Sequence, residues 1–280
     1  MSETTRPPFV VAPGPHVHVE ESTARIMWWV NGALAPVTAW GVAVFGLPAL
    51  VVVTSSVAGA LGGEALAQRW LGRRPTIGDG SAFCTGLLLA LTLPPRLPWY
   101  AALLGGLFAI LIGKSIFGGL GFNLFNPALI GRAFLMASFP LAMTAGWSAP
   151  RPWFAAPLDA VTTPTPLAVL REHGFSAALA AASTHGSPWT ALLVGMRPGS
   201  IGEVSVVLVA LGAAVLLARG IIRLTIPLSL FAGLALVTLP TGHVGLHLAS
   251  GGLWLGAFFM ATDYVTSPNT RGGQIAFGLV

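Results

Sequence analysis

Three groups of residues have types and spacings that chemistry could use. The first is the string Asp159-Ala-Val-Thr162-Thr163-Pro164-Thr165-Pro166-Leu167. A threonine hydroxyl is a point for covalent attachment, but no activating machinery accompanies it in this chain. The same residues also make an Asx or Ser/Thr turn ahead of a helix at Leu167–Arg171. The second group is Asn123 and Asn126, three apart in Gly118-Gly-Leu-Gly-Phe-Asn-Leu-Phe-Asn-Pro127. Pro127 suits a first helical position, so Asn126 is placed to cap. Both side chains can also hydrogen-bond a ligand with amide or imide edges. The third group is ionisable: Glu64, Asp79, Lys114, Arg132, Glu203 and Asp263 lie in or beside apolar runs. Such residues inside a membrane are functional hypotheses by default. Near a span end they are instead solvated or snorkelling, which is the reading for Lys114. Asp79 and Asp263 flank broken helices, where a carboxylate holds a cation or, more commonly, caps a helix. His243 and His247 share a helix face without a third ligand, and the single Cys84 cannot hold a zinc ion or an iron–sulfur cluster alone, so no metal site is expected.

The elements that must position these residues follow from composition. Of 280 residues, 54% are hydrophobic and only 8% charged, against roughly 25% charged in a soluble domain. Fourteen basic and nine acidic side chains cannot cover a water-facing surface of this size. Soluble enzymes, disordered proteins and disulfide-stapled secreted domains are excluded, and scattered basic residues make no nucleic-acid surface. What remains is an all-α polytopic membrane protein. The 35 glycines and 22 prolines suit broken helices that line a site. Apolar runs predict spans at Ile26–Phe45, Pro48–Ala67, Ser81–Leu93, Trp99–Phe117, Ala128–Ala142, Val204–Ala218, Ile221–Leu239 and Val244–Ala261. A crossing needs about 20 residues, so the short runs are partial helices.

Basic residues orient the spans. With the N-terminus in the cytoplasm, Arg25, Arg69, Arg73, Arg74, Lys114, Arg219, Arg223 and Arg271 fall inside, and the long segment after Leu141 falls outside. Tryptophans at span ends form an interface belt. The third and eighth spans share a mid-helix glycine, an Ala/Thr step and a proline exit, and they run in opposite directions. This suggests inverted five-helix repeats with a site at their interface. The final apolar run, Ile275–Val280, reads as the start of a span, so C-terminal spans are expected to be missing. The predicted organisation is a cytoplasmic tail (1–24), a first membrane repeat (25–142), an external loop (143–202) and an incomplete second repeat (203–280).

Several strings together resemble the RnfD/NqrB family, the membrane flavin subunits of the Rnf complex and of the Na⁺-translocating NADH:quinone reductase. They are Asp79-Gly-Ser-Ala; Thr85-Gly-Leu-Leu-Leu-Ala-Leu-Thr-Leu-Pro-Pro95; Gly118 to Phe134; Asp159 to Thr165; Gly199-Ser-Ile-Gly-Glu-Val-Ser205; and Phe258-Phe-Met-Ala-Thr-Asp-Tyr-Val-Thr-Ser-Pro268. They cover nearly the whole chain in the family's order, and the short N-terminal extension favours the RnfD branch. The resemblance implies a fold similar to urea-transporter-like channels. It also implies ferredoxin:NAD⁺ oxidoreduction coupled to Na⁺ or H⁺ movement, in a bacterial inner membrane. The family pattern Asp-x-x-Ser/Thr-Gly-Ala-Thr is matched by Asp159, Thr162 and Thr165, while Thr163 and Pro164 depart from it. The resemblance implies FMN joined by a phosphoester to Thr165 by a separate flavin transferase. It also implies a riboflavin in the membrane near Asn123 and Asn126, and the other complex subunits as partners. Composition and repeat alone leave open a secondary transporter or channel without a redox role.

Overall fold

The computed structural model describes residues 22–73, 75–150, 163–182, 187–203, 205–250 and 252–280. These residues form helices and connecting turns, with no strand among them. In the first half, α1 (Thr23–Phe45) opens on Ser22, whose Oγ accepts from the amide of Arg25, and Gly46 alone links it to α2 (Leu47–Trp70). Gly46 has φ +72°, a conformation that lets the chain reverse without an added loop. α3 (Ser81–Leu91) follows, then α4 (Trp99–Ile110), which runs on as a π-helix over Leu111–Ser115. α5 (Pro127–Ser138) and the short α6 (Pro140–Ala145) complete this half.

A connecting region carries α7 (Pro166–Ala182), kinked at Gly174, and α8 (Pro188–Val194). The expected helix at Leu167–Arg171 is therefore part of a longer element. The second half contains α9 (Val206–Ala218), α10 (Thr225–Thr238), α11 (Val244–Ala249) and α12 (Leu253–Leu255), the last continuing as a π-helix over Gly256–Met260. α13 (Arg271–Leu279) ends it. The eighth predicted span is thus two pieces, parted at Ser250.

Close packing uses small residues, as expected where helices meet without water to drive them together. α2 lies on α4 with Gly59 against the carbonyl of Leu103 and Gly106 against that of Ser56; a Cβ at either position would overlap the facing backbone. α10 lies on α13 in the same manner, with Gly233 against Leu279 and Gly278 against Ser229. α1 pairs with α9, where Gly212 faces the carbonyl of Ala33 and the Arg219 guanidinium stacks 3.9 Å above the Trp29 ring. One apolar core runs through both halves, from Leu34 and Leu89 to Phe258 and Phe259.

Leu47, Leu50, Leu104, Leu211, Leu228, Leu236 and Val237 all face outward. In water so much exposed apolar surface is a liability; in hydrocarbon it is the expected lining. By length and composition, one described helix, Leu47–Trp70, is long and apolar enough to cross a membrane, accompanied by shorter apolar helices.

α3 has eleven residues, too few to cross. Its C-terminal carbonyls end inside the protein and require partners. Leu91 O accepts from the amide of Gly202 at 2.7 Å and Leu93 O from that of Ile201 at 3.2 Å, while the Arg132 guanidinium donates to Thr92 O. The backbone leading into the second half therefore seals the end of a first-half helix.

Candidate functional site

The opposite end of α3 builds a polar site. Gly80, with φ +78°, turns the chain into α3. Two side chains of α1 hold the turn: Trp28 Nε1 donates to Gly78 O at 3.2 Å and Asn31 Nδ2 to Gly80 O at 3.0 Å. Asp79 Oδ1 accepts from both the amide and the hydroxyl of Ser81, at 2.7 and 2.5 Å. Asp79 thus braces the first residue of α3 from one position ahead of the cap, which is Gly80.

Ser81 Oγ in turn accepts from Lys114 Nζ at 2.7 Å, and Lys114 is ion-paired to Glu64 Oε2 at 2.6 Å. Glu64 Oε1 accepts from Gln68 Nε2 at 2.9 Å and Thr76 Oγ1 at 3.2 Å. The snorkelling expectation for Lys114 is overturned: the residue is 3% exposed and Glu64 5%. The cause is local. Lys114 sits in the π-helical turn, which shifts the register of side chains by widening the i→i+4 ladder to i→i+5. It is thereby turned toward α2 and α3 rather than toward the surface. Burying an ion costs several kcal/mol, offset only by a close partner and further hydrogen bonds, both present here.

Ser81 and Lys114 form part of the wall of a cavity of about 330 Å³ between the two halves. That is within the roughly 300–1,000 Å³ range of small-molecule sites. The N-terminal part of α3 (Ser81, Thr85, Leu88) lies on one side and the C-terminal end of the second π-helix (Phe258, Phe259) on another. Both π-helices thus border it. Asn123, Asn126, Thr262 and Asp263 add to the polar lining, with Thr23 and Tyr264. The lining is mostly apolar, with amide, hydroxyl, ammonium and carboxylate groups at separate places. This donor set suits a planar heterocycle with hydrogen-bonding edges.

The structure brings three expected residues, Asn123, Asn126 and Asp263, to this one cavity. Asn126 caps α5, its Oδ1 accepting from Ala128 N at 3.0 Å and Leu129 N at 3.4 Å, while its Nδ2 approaches Met260 O at 3.4 Å. Its polar atoms are thus occupied in joining the halves. Asn123 uses one N–H on Phe125 O at 3.1 Å; its Oδ1 has no protein partner among the described residues. Asp263 accepts from Thr266 Oγ1 at 3.1 Å. Arg132 and Glu203 are structural instead. Glu203 closes the 200–203 turn by accepting from Ser200 N at 3.3 Å, and its backbone carbonyl takes the buried Arg197 guanidinium at 2.9 Å. His243 stacks on Phe175 with ring centroids 4.3 Å apart.

Thr165 does not line the cavity. It stands at the N-terminus of α7, partly exposed, with its Oγ1 accepting from the amide of Ala168 at 3.3 Å. A phosphate on that oxygen would lie at a helix N-terminus, where free amides and the helix dipole favour negative charge. Asp159 and Thr162 lie outside the described residues. Sequence reasoning misses Ser81, Thr85 and Thr262 as lining residues, and it misses the Glu64–Lys114 pair. Ser81 and Thr262 stand inside the strings Asp79-Gly-Ser-Ala and Ala261-Thr-Asp-Tyr264, but nothing in the sequence brings Glu64 to Lys114 across 50 positions.

The NQR2, RnfD, RnfE family model matches residues 10–280. The D subunit of the proton-translocating ferredoxin:NAD(+) oxidoreductase complex of Clostridium ljungdahlii is 43% identical over 97% of this chain and 83% of that protein. The D subunit of the Na(+)-translocating ferredoxin:NAD(+) oxidoreductase complex of Acetobacterium woodii is 42% identical over 96% of this chain and 81% of that protein. The D subunit of the ion-translocating oxidoreductase complex of Rhodobacter capsulatus is 37% identical over 95% of this chain and 81% of that protein.

Proposed function

Because the chain belongs to the NQR2, RnfD, RnfE family, we propose that it is the membrane flavoprotein subunit of an Rnf-type ion-translocating ferredoxin:NAD⁺ oxidoreductase. In this reading it carries electrons through FMN esterified to Thr165 and couples them to Na⁺ or H⁺ movement. Its partners are the other subunits of that complex and, during maturation, a flavin transferase. It resides in the bacterial inner membrane with the N-terminus cytoplasmic and Thr165 on the outer side. One observation carries the reading from family to site: the cavity between the halves, lined by Asn123, Asn126, Thr85 and Lys114 against Phe258 and Phe259.

The cavity is the place for riboflavin. A bound flavin supplies one- and two-electron chemistry, and the protein positions it and sets its surroundings. Leu88, Phe258 and Phe259 offer apolar walls for a ring system. Asn123 offers a free amide oxygen, Thr85 a hydroxyl and Lys114 a cation. At Thr165 the chain's task is different: the start of α7 would favour the negative charge of a phosphoester on that hydroxyl. Thr165 stands outside the cavity, so its flavin is separate from the inner one. With flavins at both places, one-electron chemistry would be available on two sides of the membrane, where moving a charge through the field is worth about 2.3 kcal/mol per 100 mV.

The helix pairings support an inverted-repeat architecture. α2 on α4 matches α10 on α13, and α1 on α9 joins the first members of each half. α3 presents its N-terminal end to the cavity while the second π-helix presents its C-terminal end. Two related elements thus enter one site in opposite directions. Asp79 and Asp263 flank these broken helices, the positions at which an ion path would run.

The experiment is co-expression of the chain with a flavin transferase, followed by a denaturing gel viewed under ultraviolet light beside Thr165→Val. A fluorescent band that disappears in the variant is expected. A dark wild-type band, with the transferase active on a control protein, would remove covalent attachment and leave the transporter or channel reading.

A further inference from the structure

The Lys114–Glu64 pair is not needed to hold α4 against α2, because Gly59, Gly63 and Gly106 already bring those backbones together. As a fastening, well-packed apolar residues serve as well as a buried ion pair or better, so the charges need another use. The geometry of the pair is also asymmetric. Lys114 lines the cavity, whereas Glu64 does not and lies behind it. The ammonium has three donors. Two are taken, by Glu64 Oε2 and Ser81 Oγ; the third has no protein partner among the described residues. Glu64 is in turn held by Gln68 and Thr76, so it cannot swing forward to cover the ammonium without losing both.

We propose that Lys114 donates its third N–H to an anionic or acceptor edge of the cavity's occupant, and that Glu64 behind it sets how much positive field the occupant feels. This rests on the reading of the cavity as a flavin site. An electron added to a flavin ring puts negative charge on its pyrimidine edge, which is an acceptor edge. A cation facing that edge stabilises the reduced form, and a carboxylate a few ångströms further back opposes it with a weaker, same-line effect. Lys114 is thereby a positioning and tuning residue, and the pair is a device for fixing a potential rather than a brace.

Electrostatics of this kind has a signature that packing lacks: removal of the two charges must act in opposite directions. The test uses the assembled complex in a Thr165→Val background, which eliminates the covalent flavin of this chain. The midpoint potential of its non-covalent flavin is followed by the visible spectrum for Lys114→Met, Glu64→Gln, the double variant and Lys114→Arg. The expectation is a lower potential for Lys114→Met, a smaller rise for Glu64→Gln, a value between Lys114→Met and the parent for the double variant, and little change for Lys114→Arg. Should Lys114→Met fail to assemble, the Glu64→Gln rise and the Lys114→Arg value decide. Shifts of one sign, or no shift with the flavin retained, would overturn the proposal while leaving the cavity a flavin site. A parent complex without non-covalent flavin would overturn the cavity reading itself, and this inference with it.

Discussion

The two ends of α3 are built on opposite principles. At its C-terminal end three successive carbonyls, of Leu91, Thr92 and Leu93, are each taken by an amide or a guanidinium from elsewhere in the chain. At its N-terminal end the backbone is finished locally by Asp79 and Ser81, and the side chains beyond face an open cavity with a lysine donor to spare. A helix that stops inside a membrane must settle its terminal groups either with protein or with a lined cavity. Here one end does each. The sealed end is architecture, and the open end borders the cavity proposed for a ligand.

Substitutions at the two ends should separate in kind as well as in size. The largest effect on stability is expected from Lys114→Met, which strands Glu64 as an uncompensated buried charge. A loss of about 3–5 kcal/mol is expected, and the double variant Lys114→Met/Glu64→Gln should recover much of it. Thermal inactivation of the detergent-solubilised complex ranks the two; a double variant no more stable than the single would mean that the pair does not act as a unit. Next comes Gly202→Val at the sealed end. An added Cβ there lies 2.6 Å from Leu91 Cβ and 2.9 Å from Leu91 O, so the segment holding α3 must lift. The expected loss is about 3 kcal/mol, the upper part of the overpacking range, with the spectrum of the flavin proposed for the cavity unchanged in the protein that still folds.

Arg132→Met removes the donor to Thr92 O and leaves a buried carbonyl without that partner, a loss of about 1–3 kcal/mol. It too should leave the potential of the proposed cavity flavin in place, and a shifted potential would show that the two ends communicate. The smallest effect is expected from Trp28→Phe, which removes the indole bond to Gly78 O while Asn31 still holds Gly80. About 0.5–1.5 kcal/mol is expected, read as a small drop in the inactivation temperature.

Much of this contrast is legible in the chain. Ser81–Leu93 is too short to cross and ends in Pro94-Pro95, and that break is real, with the helix ending at Leu91. Asn126 before Pro127 announces a cap, and it caps. Asp79 before Ser81 announces another, but Gly80 holds the cap position of α3 and Asp79 closes the turn from one residue further out. The failures have a common cause. Lys114 reads as a span-end lysine because sequence shows neither the π-helical turn that redirects it nor Glu64, 50 residues away. Arg197 lies in the segment expected as an external loop, yet it is buried at 2% exposure and donates to the backbone of Glu203. The eighth span, by contrast, reads as a broken helix beside Asp263, and the helix does divide after Ala249. Periodicity and punctuation report on neighbours along the chain. The partners that fix a buried charge lie across it.

The flavin content of the cavity tests the account most directly. The assembled complex carrying Thr165→Val would be denatured and the released flavin measured by chromatography, beside the same complex with Asn123→Leu added. The account predicts a stoichiometric non-covalent flavin in the first that falls well below stoichiometry in the second, with the subunits still assembled. Equal flavin in both, or none in either, would contradict the assignment of this cavity.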